Sequence, residues 1–531
     1  MIVAAQPEAA EAGAEILKRG GNAVDAAIAA ALVQGVVDPQ MCGIAGFGNC
    51  QIFMPGKGVH TGIDFHGKTP LGATPDMWAD RIVGETRDGF GFVLEGQVND
   101  LGYGAVTTPG SLKAYHEALT EFGTMDWKDI CAPAIAEAEA GFVVRPHVQF
   151  WWNSGSSYGR ADVTDRLRFS QTGRAAYFRD DGTVKRVGDR VHNPDLATTL
   201  RRIAAAGPDI FYSGEIAEQI AADFAAHGGL LTYEDLAGYR TTRTDPLRFT
   251  YRGWELSTNH PPGGGIMLAE MMNILGHFDL AGMGHNSVDY VRTVAEAMKV
   301  ATADKDNHVG DPAFYDVPMA RLLSADHAAA AARRIQAGEK HHVERLGLPE
   351  SKQTTHVAVI DAAGNAVTMT HSLGMPSGVI TDGLGFMYNG CMAVFDPRPG
   401  RAGSIAPGKA RFSSLCPTLG FQNGELSVAI GAPGGTQIAM GVLQALLNII
   451  DHGMTMTEAV SAPRFSATSD IIDITNRVPR SVERALQQQG YEVVRNPLTF
   501  DIAAVHGVRR LPGGLFDGGA DPGHDGVAIA V

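Results

Sequence analysis

The sequence predicts an α+β fold in which helical layers and β layers are stacked. Helical periodicity dominates the first part of the chain, whereas β-prone runs and glycines dominate from about residue 350 onward. Helices and strands also do not alternate as they do in a regular βαβ array. The change in texture near residue 350 marks the best candidate boundary, and composition leaves open whether it separates two domains or two parts of one fold.

Local patterns predict the individual elements. A short strand opens the chain, an Ala-rich helix ends at Gly20 and Gly21, and a second apolar helix begins at about Ala23. Alternating apolar residues predict strands between 49 and 65 and between 246 and 257. Periodic apolar positions predict helices at 110–145, 195–226, 286–306, 324–338 and 436–451, and the stretch 354–432 is expected to be rich in strands.

The composition is that of a globular protein with a small-molecule ligand. The 531 residues suffice for a sizeable core, and 44% of them are hydrophobic. Membrane spans need about eighteen consecutive apolar residues, and the chain has no such run. A formal net charge of −15 repels phosphate backbones. We therefore expect neither a nucleic-acid partner nor a membrane partner.

Cysteine usage and the N-terminus bear on location. The 5 cysteines are few, scattered and odd in number, which favours a reducing compartment over a disulfide framework. The opening MIVAAQPEAA lacks the basic segment and apolar core of a secretory signal. We expect a cytoplasmic protein, with a periplasmic location as the alternative if a signal peptide was removed.

Two short motifs match catalytic patterns without the context that their chemistry needs. Residues 62–69, GIDFHGKT, match a phosphate-binding loop, but Pro70 and Pro75 follow where that loop needs a helix. Residues 155–159, GSSYG, match a nucleophile elbow, but the polar WWNS precedes them instead of a buried strand. We therefore expect no nucleotide binding at the first stretch and an ordinary loop at the second.

Candidate metal ligands are equally isolated. His341 and His342 are adjacent and would have to turn the same way to bind one ion together with Glu344. The acidic stretch ADKDN at 303–307 lacks the glycine and the terminal glutamate of a calcium loop. We expect a solvated loop and a helix end there, and no metal or other cofactor.

The stretch SKQTTHVAVIDAAGNAVTMTHS, residues 351–372, has the pattern of a β-hairpin. The β-prone runs 355–360 and 366–372 flank DAAGN, whose Asp, Gly and Asn are typical of turns. If Ile360 pairs with Ala366, the register places Ser372 opposite Thr354. Two hydroxyl groups would then lie side by side.

Thr354 becomes a catalyst only if the chain is cut before it. A threonine hydroxyl is a poor nucleophile without a base, and the α-amine of the same residue supplies one once Thr354 is an N-terminus. An α-amine titrates at about 7.7 to 8.0 in model peptides, so it can accept a proton near neutral pH. Cleavage between Gln353 and Thr354 would therefore create the active centre.

Two downstream stretches complete this chemistry. GAPGGTQI, residues 431–438, leads into a helix, so Gly434 and Gly435 could direct backbone N–H groups at a developing oxyanion. RFSSLCPTL, residues 411–419, offers Ser413 and Ser414 as hydroxyl ligands for a polar group of the substrate.

These residues resemble the γ-glutamyltransferase family, threonine N-terminal-nucleophile hydrolases that are made as one chain and cleave themselves into a large and a small subunit. The resemblance covers nearly the whole chain. It includes GGNAVDAAIAAAL at 20–32, TTPGSLKAY at 107–115, LTYEDLAGYR at 231–240, PPGGGI at 261–266, TTHVAVIDAAGNAV at 354–367 and DGGADPGHDG near the C-terminus.

The family resemblance implies a four-layer αββα sandwich and a set of catalytic roles. Thr354 would be the nucleophile, its α-amine the base, and Ser372 an assisting hydroxyl. The amides of Gly434 and Gly435 would bind the oxyanion. A large subunit, 1–353, and a small subunit, 354–531, would come from one precursor and form one intertwined fold, and a homodimer of processed units is an arrangement left open.

The residues that clamp glutamate in this family are replaced. An arginine in a DFRE-like segment becomes His66, an asparagine becomes Gly374, and the glutamine and acid of an NNQMDDF-like segment become Cys391 and Val394. Hydrogen bonds to charged groups are typically worth about 1.5 to 3 kcal/mol each, so these losses weaken selection for glutamate. We expect His66, Ser413 and Ser414 to hold an anionic or polar group beside Gly374 and Cys391.

The sequence therefore predicts an autoprocessed amide hydrolase or acyltransferase. It would form an acyl-enzyme on Thr354 and pass the acyl group, γ-glutamyl or related, to water or to an amine. One alternative is an acylase for a non-γ-glutamyl amide, because the glutamate-clamping residues are replaced. An alternative of another class is an unprocessed, non-catalytic binding protein on the same scaffold.

Overall fold

The computed structural model describes residues 1–85, 91–156, 159–343 and 354–531. In chain order its strands are β1 (Ile2–Ala4), β2 (Phe47–Met54), β3 (Val59–Phe65), β4 (Ile82–Glu85), β5 (Phe92–Leu94), β6 (Phe142–Val143), β7 (Arg190–Val191), β8 (Thr242–Thr244), β9 (Leu247–Tyr251), β10 (Trp254–Thr258), β11 (Thr355–Ile360), β12 (Ala366–Ser372), β13 (Thr418–Gln422), β14 (Glu425–Gly431), β15 (Phe465–Ser466), β16 (Ile471–Ile474), β17 (Glu492–Arg495), β18 (His506–Arg510), β19 (Phe516–Gly519) and β20 (Val527–Ile529).

The helices lie mostly between β5 and β11 and after β14. They are α1 (Pro7–Lys18), α2 (Ala23–Val37), α3 (Ser111–Phe122), α4 (Trp127–Ala140), α5 (Pro146–Trp152), α6 (Val163–Arg168), α7 (Gln171–Tyr177), α8 (Pro194–Ala206), α9 (Asp209–Tyr212), α10 (Glu215–Ala226), α11 (Tyr233–Gly238), α12 (Gly265–Leu275), α13 (Leu280–Met283), α14 (Val288–His308), α15 (Met319–Leu322), α16 (Ala325–Gln336), α17 (Ile438–Ile450), α18 (Met456–Ser461) and α19 (Arg480–Gln488).

Two large sheets form the centre of the protein. The first has the order β20-β1-β11-β12-β2-β3-β8, and the second has the order β19-β18-β14-β13-β10-β9. Neighbouring strands in both sheets are antiparallel. Both sheets take strands from each side of residue 353, so the segments 1–353 and 354–531 are interleaved in space.

The alternation of side chains along β11 shows how the layers stack. Val357 and Val359 lie in a hydrophobic core with α1 and α2, whereas Ala358 and Ile360 pack between the sheets against the second sheet. The second sheet buries its other face against α12, α14 and α17. The layers therefore run helix, sheet, sheet, helix, which confirms the α+β fold and its four-layer αββα arrangement.

Helix α2 lies directly beneath the strands that carry the candidate nucleophile. Its Ala-rich sequence buries nearly every residue, and Asn22 caps its first turn by accepting the backbone N–H groups of Val24 and Asp25. Small side chains allow the helix to approach the sheet closely. Among the described residues, no helix combines the length and the apolarity needed to cross a bilayer.

The structure corrects the sequence prediction in the second half of the chain. Residues 373–417, all described, form isolated bridges and a 3-10 turn at Cys391–Val394 instead of further strands. Positive φ angles at Gly374, Gly378 and Gly383 interrupt the extended backbone there. Helix α12 was not predicted, because it is buried nearly all round and has no polar face to give a helical period.

The described parts of the motifs set aside in the sequence lack the neighbouring elements that their chemistry needs. Strand β3 covers Gly62, and Lys68 forms bridges with Thr108 and Ala410 instead of opening a helix. Helix α5, not a strand, precedes GSSYG, whose Ser157 and Tyr158 lie outside the described residues. The stretch 303–307 belongs to the end of α14.

Three residues were considered as metal ligands, and the structure describes two of them. His342 Nδ1 lies 2.5 Å from Asp470 Oδ2, and the backbone N–H of His341 donates to Glu296 at 2.6 Å. Glu344 falls outside the described residues. The described contacts of the two histidines are therefore to acidic side chains of other elements.

Candidate active site

Thr354 lies at the start of β11, and its hydroxyl faces that of Ser372. The register pairs Thr355 with His371 and Ile360 with Ala366, as the hairpin pattern predicted. The two hydroxyl oxygens of Thr354 and Ser372 are 3.0 Å apart, and both residues are buried. Ser372 Oγ also accepts the backbone N–H of Gly374 at 2.8 Å. This pair has the spacing of a nucleophile and an assisting hydroxyl.

A buried polar network beneath the hairpin fixes its position. Gln34 of α2 donates through Nε2 to Thr355 Oγ1 at 2.9 Å, and its Oε1 lies 2.8 Å from His371 Nε2. On its other side, His371 Nδ1 lies 2.6 Å from the hydroxyl of Tyr115. Burial lowers the pKa of His371 to about 3, so the ring is neutral. Its Nε2–H therefore donates to Gln34, and its Nδ1 accepts from Tyr115.

A second histidine connects the hairpin to the other sheet. His356 Nδ1 lies 2.9 Å from Thr370 Oγ1 on β12, and burial lowers the pKa of His356 well below its usual range. Its ring lies against Gly431, where a Cβ atom would come within 2.3 Å of the ring. Thr368 Oγ1 donates to the carbonyl of Ile430 at 3.0 Å. The end of β14 is thereby held against β11 and β12, close to Thr354.

The chain turns sharply directly after β14, at Gly434 and Gly435. Gly434 has φ +148° and Gly435 has φ +56°, and Gly435 opens a short 3-10 turn before α17. A Cβ atom on Gly434 would approach the Cα of Ala503 to 2.6 Å. Glycine is therefore required at Gly434 both by backbone conformation and by space. Oxyanion binding by these two amides stays a prediction.

His66 is bound on both sides. It follows the end of β3, with Nδ1 2.7 Å from Asp64 Oδ1 and Nε2 2.5 Å from Ser413 Oγ. A carboxylate only accepts, so Nδ1 carries a proton, and Nε2 and the Ser413 hydroxyl share the hydrogen bond on the other side of the ring. We call this hydrogen-bonded series of Asp64, His66 and Ser413 the relay.

The loop 259–265 holds the serine pair in place. The backbone N–H of Ser413 donates to Pro262 O at 2.9 Å, and Gly264 N–H donates to Leu415 O at 2.8 Å. A Cβ atom on Gly264 would lie 2.5 Å from the carbonyl oxygen of Ser414. The glycines of PPGGGI thus allow the backbone of this loop to pack against the backbone of the loop that carries Ser413 and Ser414.

Gly374 and Cys391 lie together. Arg411, which the sequence analysis did not select, lies between them and the loop of Ser413 and Ser414. Its Nη1 is 3.6 Å from Cys391 Sγ, and its Nε donates to Phe412 O at 2.8 Å. Its guanidinium lies over the ring of Phe47, 4.7 Å from the centroid. Burial raises the pKa of the Cys391 thiol, so Arg411 contacts a neutral sulfur.

The structure therefore gathers the predicted residues into two groups that share the strand ends. Thr354, Ser372, Gly374 and Cys391 form one group, and His66 with Ser413 forms the other; Phe47, which pairs with Ser372 in the sheet, lies beside both. Ser414 follows Ser413, and its carbonyl oxygen lies against Gly264. The Gly434 turn follows β14, whose end is held against β11 and β12. Val394 ends the short turn that begins at Cys391 and is partly buried.

Sequence reasoning missed Asp64, Phe47 and Arg411. Asp64 and Arg411 each stand two residues before a selected residue, His66 and Ser413. In extended chain that spacing puts two side chains on the same face, so the signal was present for both. Phe47 gave no such signal, because its role comes from strand pairing across more than 300 residues.

Comparison with known proteins gives a consistent result. The family model described as Gamma-glutamyltranspeptidase matches residues 9–531. The chain is 39% identical to the "Acylase ACY 1 proenzyme" of Pseudomonas sp. (strain V22), over 100% of this chain and 93% of that protein. It is 32% identical to the "Glutathione hydrolase proenzyme" of Bacillus subtilis (strain 168), over 100% of this chain and 91% of that protein.

A solved structure agrees over the whole fold. The crystal structure of cephalosporin acylase from Bacillus halodurans superposes with a TM-score of 0.87 at 29% identity. The match covers 99% of this chain and 94% of that chain.

Proposed function

The chain belongs to the γ-glutamyltranspeptidase family, and we propose that it is an autoprocessed acylase that hydrolyses amides of an acyl group other than γ-glutamyl. Membership makes it an enzyme of the amidohydrolase and acyltransferase type. The observation that carries the mechanism is the 3.0 Å contact between Thr354 Oγ1 and Ser372 Oγ at the start of β11. The substrate class is inferred from the relay of Asp64, His66 and Ser413.

Processing is the first chemical step. Cleavage of the peptide bond between Gln353 and Thr354 releases the α-amine of Thr354 and divides the chain into a large subunit, 1–353, and a small subunit, 354–531. The strands of the two subunits remain interleaved in both sheets, so the products stay together after the cut. The α-amine then lies on the same residue as the nucleophilic hydroxyl.

Acylation follows from the positions of the hydroxyl groups. Ser372 accepts the Gly374 N–H, and in the reaction its hydroxyl donates to Thr354 Oγ1 as that oxygen gains negative charge. The α-amine takes the Thr354 proton as Oγ1 attacks the amide carbonyl, and the N–H groups of Gly434 and Gly435 stabilise the oxyanion. The amine product leaves with that proton. Water then attacks the ester on Thr354 and releases the acid, or an amine takes the acyl group.

The relay supports an acyl group other than γ-glutamyl. Asp64 already occupies Nδ1 of His66, and Ser413 occupies Nε2. A second carboxylate placed against His66 would face the charge of Asp64 at short range, which opposes binding. The similarity to the Pseudomonas acylase over the full chain agrees with this substrate class. The similarity to the Bacillus subtilis glutathione hydrolase keeps γ-glutamyl hydrolysis as the second candidate.

The test compares the hydrolysis of γ-glutamyl p-nitroanilide with that of pentanoyl p-nitroanilide by the processed enzyme. These acyl groups have the same chain length, but only the γ-glutamyl group carries a charged amino-acid head. We expect the larger kcat/KM for the pentanoyl compound, and a Thr354→Ala variant to cleave neither. A larger kcat/KM for the γ-glutamyl compound would overturn the acylase assignment in favour of the second candidate.

A further inference from the structure

We propose that Arg464 is a positioning residue for the oxyanion site. It holds a strained turn at Ile502 and Ala503, and this turn fixes the backbone at Gly434. The inference rests on the proposed function, because it takes the N–H groups of Gly434 and Gly435 as the oxyanion donors. It is carried by the backbone conformation of the turn, by the contacts of Arg464 and by the packing of Ala503.

The turn at Ile502 and Ala503 has an unfavourable backbone conformation. Ile502 has φ +64° and Ala503 has φ +57°, in the left-handed region that residues other than glycine rarely adopt. A β-branched residue such as isoleucine is exceptional there. Both residues are buried. Such a conformation persists only where the surrounding contacts hold it, and it is concentrated at functional sites.

Arg464 supplies contacts that hold this turn. Its Nε donates to Ile502 O at 3.0 Å, and its Nη2 donates to Ala503 O at 2.9 Å. Nη2 also pairs with Asp521 Oδ2, which accepts the backbone N–H of Val505 at 3.3 Å. The planar guanidinium therefore binds two consecutive carbonyl oxygens, and its acidic partner binds the chain just after the turn.

The ion pair of Arg464 and Asp521 is shielded from water. Each of the two side chains is 2% exposed. Asp521 belongs to the C-terminal stretch DGGADPGHDG, residues 517–526, which the proposed mechanism does not otherwise use. Removal of one partner would leave a buried charge alone, so a variant that tests the role of Arg464 has to keep its charge.

The turn contacts the predicted oxyanion site directly. The backbone N–H of Ala504 donates to Pro433 O at 3.0 Å, one residue before Gly434. A Cβ atom on Gly434 would lie 2.6 Å from Ala503 Cα, and one on Gly441 of α17 would lie 2.7 Å from Ala503 Cβ. Ala503 therefore lies against both the Gly434 turn and the helix that follows it. A shift of Ala503 would displace the Gly434 backbone and change the direction of its N–H group.

The loss of Arg464 should affect the transition state more than substrate binding. Oxyanion donors act at the position that the charged oxygen occupies, so a displaced donor lowers kcat more than it raises KM. Arg464→Lys keeps the charge beside Asp521, but an ammonium lacks the planar fork that binds both carbonyl oxygens. For pentanoyl p-nitroanilide and the processed enzyme, we expect kcat to fall by about 10- to 100-fold and KM to stay within about twofold.

Arg495→Lys is the matched control. Arg495 likewise donates to two carbonyl oxygens, those of Asn476 and Val478, and pairs with Glu483. Its described contacts do not include the turn at 502–503. We expect the kcat of wild type in Arg495→Lys, which separates the effect at Arg464 from a general effect of replacing a buried arginine fork.

A second pair of variants tests whether backbone strain is the link. Ile502→Gly and Ile502→Ala remove nearly the same side chain, but only glycine adopts a positive φ without strain. Combined with Arg464→Lys, glycine should give a kcat at least about threefold above that with alanine. With Arg464 present the two should have similar kcat, because the guanidinium holds the turn in both. If Arg464→Lys does not fold or is not processed, Asp521→Asn takes its place in the same comparison.

Failure of the inference differs from failure of the proposed function. An unchanged kcat in Arg464→Lys, or equal kcat in the two double variants, would overturn the positioning role. If Gly434→Ala lowers kcat and Arg464→Lys does not, the inference alone fails, whereas a wild-type kcat in both would also remove the turn as the oxyanion site. Cleavage of neither the pentanoyl nor the γ-glutamyl anilide by a correctly processed enzyme would overturn the proposed function itself.

Discussion

Ser372 Oγ stands 3.0 Å from Thr354 Oγ1 and accepts the N–H of Gly374, so the backbone fixes its hydroxyl within hydrogen-bond distance of the nucleophile. We expect Ser372→Ala to lower kcat by about 10- to 100-fold, since it removes a hydrogen bond that strengthens as Thr354 Oγ1 gains negative charge. Ser372→Thr keeps the hydroxyl and should retain most of the activity. Steady-state kinetics on pentanoyl p-nitroanilide measures both, and full activity in Ser372→Ala would exclude this role.

Gln34 is a buried polar residue in an otherwise apolar stretch of α2. Gln34→Met would remove the described acceptor of the His371 Nε2–H and would leave the Thr355 hydroxyl bonded to Gln6 Oε1 alone, so we expect the free energy of unfolding to fall by about 1 to 3 kcal/mol. Gln487→Met, at an exposed position of α19, is the control and should change stability little. Denaturant unfolding measures the difference, and equal stability of the two variants would refute the structural role of Gln34.

Substitution of two glycines with positive φ, Gly434 and Gly424, distinguishes the effect of backbone strain from that of steric overlap. Gly434→Ala would place Cβ 2.6 Å from Ala503 Cα, whereas Gly424, at φ +79°, has open space around its Cβ position. We expect Gly424→Ala to cost about 1 kcal/mol of stability with activity retained. Gly434→Ala should displace the turn and lower kcat by at least about tenfold, because the predicted oxyanion donors move. Equal activity of the two variants would argue against that turn as the oxyanion site.

A charged cluster joins three helices outside the site. His327 Nε2 of α16 lies 2.8 Å from Glu270 Oε1 of α12 and 3.3 Å from Asp304 Oδ2 of α14. Hydrogen bonds to Asp304 and Glu270 raise the pKa of His327 to about 9, and burial raises the pKa of Glu270. The folded state therefore binds more protons than the unfolded state above the ordinary histidine pKa of about 6.5.

Stability should consequently fall as the pH rises through about 9. The contribution of His327 is fully present below about 6.5 and is lost as its folded-state proton dissociates. We expect Tm to decline between pH 7 and 9.5 in the wild type and to decline less steeply in His327→Gln. His277→Gln, at an exposed histidine, should follow the wild-type slope. Parallel slopes in all three proteins would show that the cluster does not bind this proton.

The sequence predicted the hairpin of Thr354 and Ser372 because its signals are local. β-prone runs, turn residues and register all lie within residues 354–372, and the observed pairing agrees at both ends. The layered fold was predicted for the same reason, since helical and strand periods are read within short windows. The buried helix α12 was not predicted, because a helix without a polar face shows no detectable helical period in its sequence.

The pocket side chains were harder to predict, because their contacts join distant parts of the chain. His66 was selected for its position in the sequence, but its binding to Ser413 spans 347 residues. Arg411 lies within RFSSLCPTL, but no local sequence pattern shows that its side chain lies beside Gly374, Cys391 and Phe47. Loops near strand ends are placed by packing, which composition does not reveal.

The intact mass of the purified protein under denaturing conditions, measured beside a Thr354→Ala variant, shows whether Thr354 is released as an N-terminus. We expect two fragments in the wild type that meet between Gln353 and Thr354, and one uncut chain in the variant. An uncut wild-type chain that nevertheless hydrolyses amides, or a cut at another bond, would contradict Thr354 as the N-terminal nucleophile.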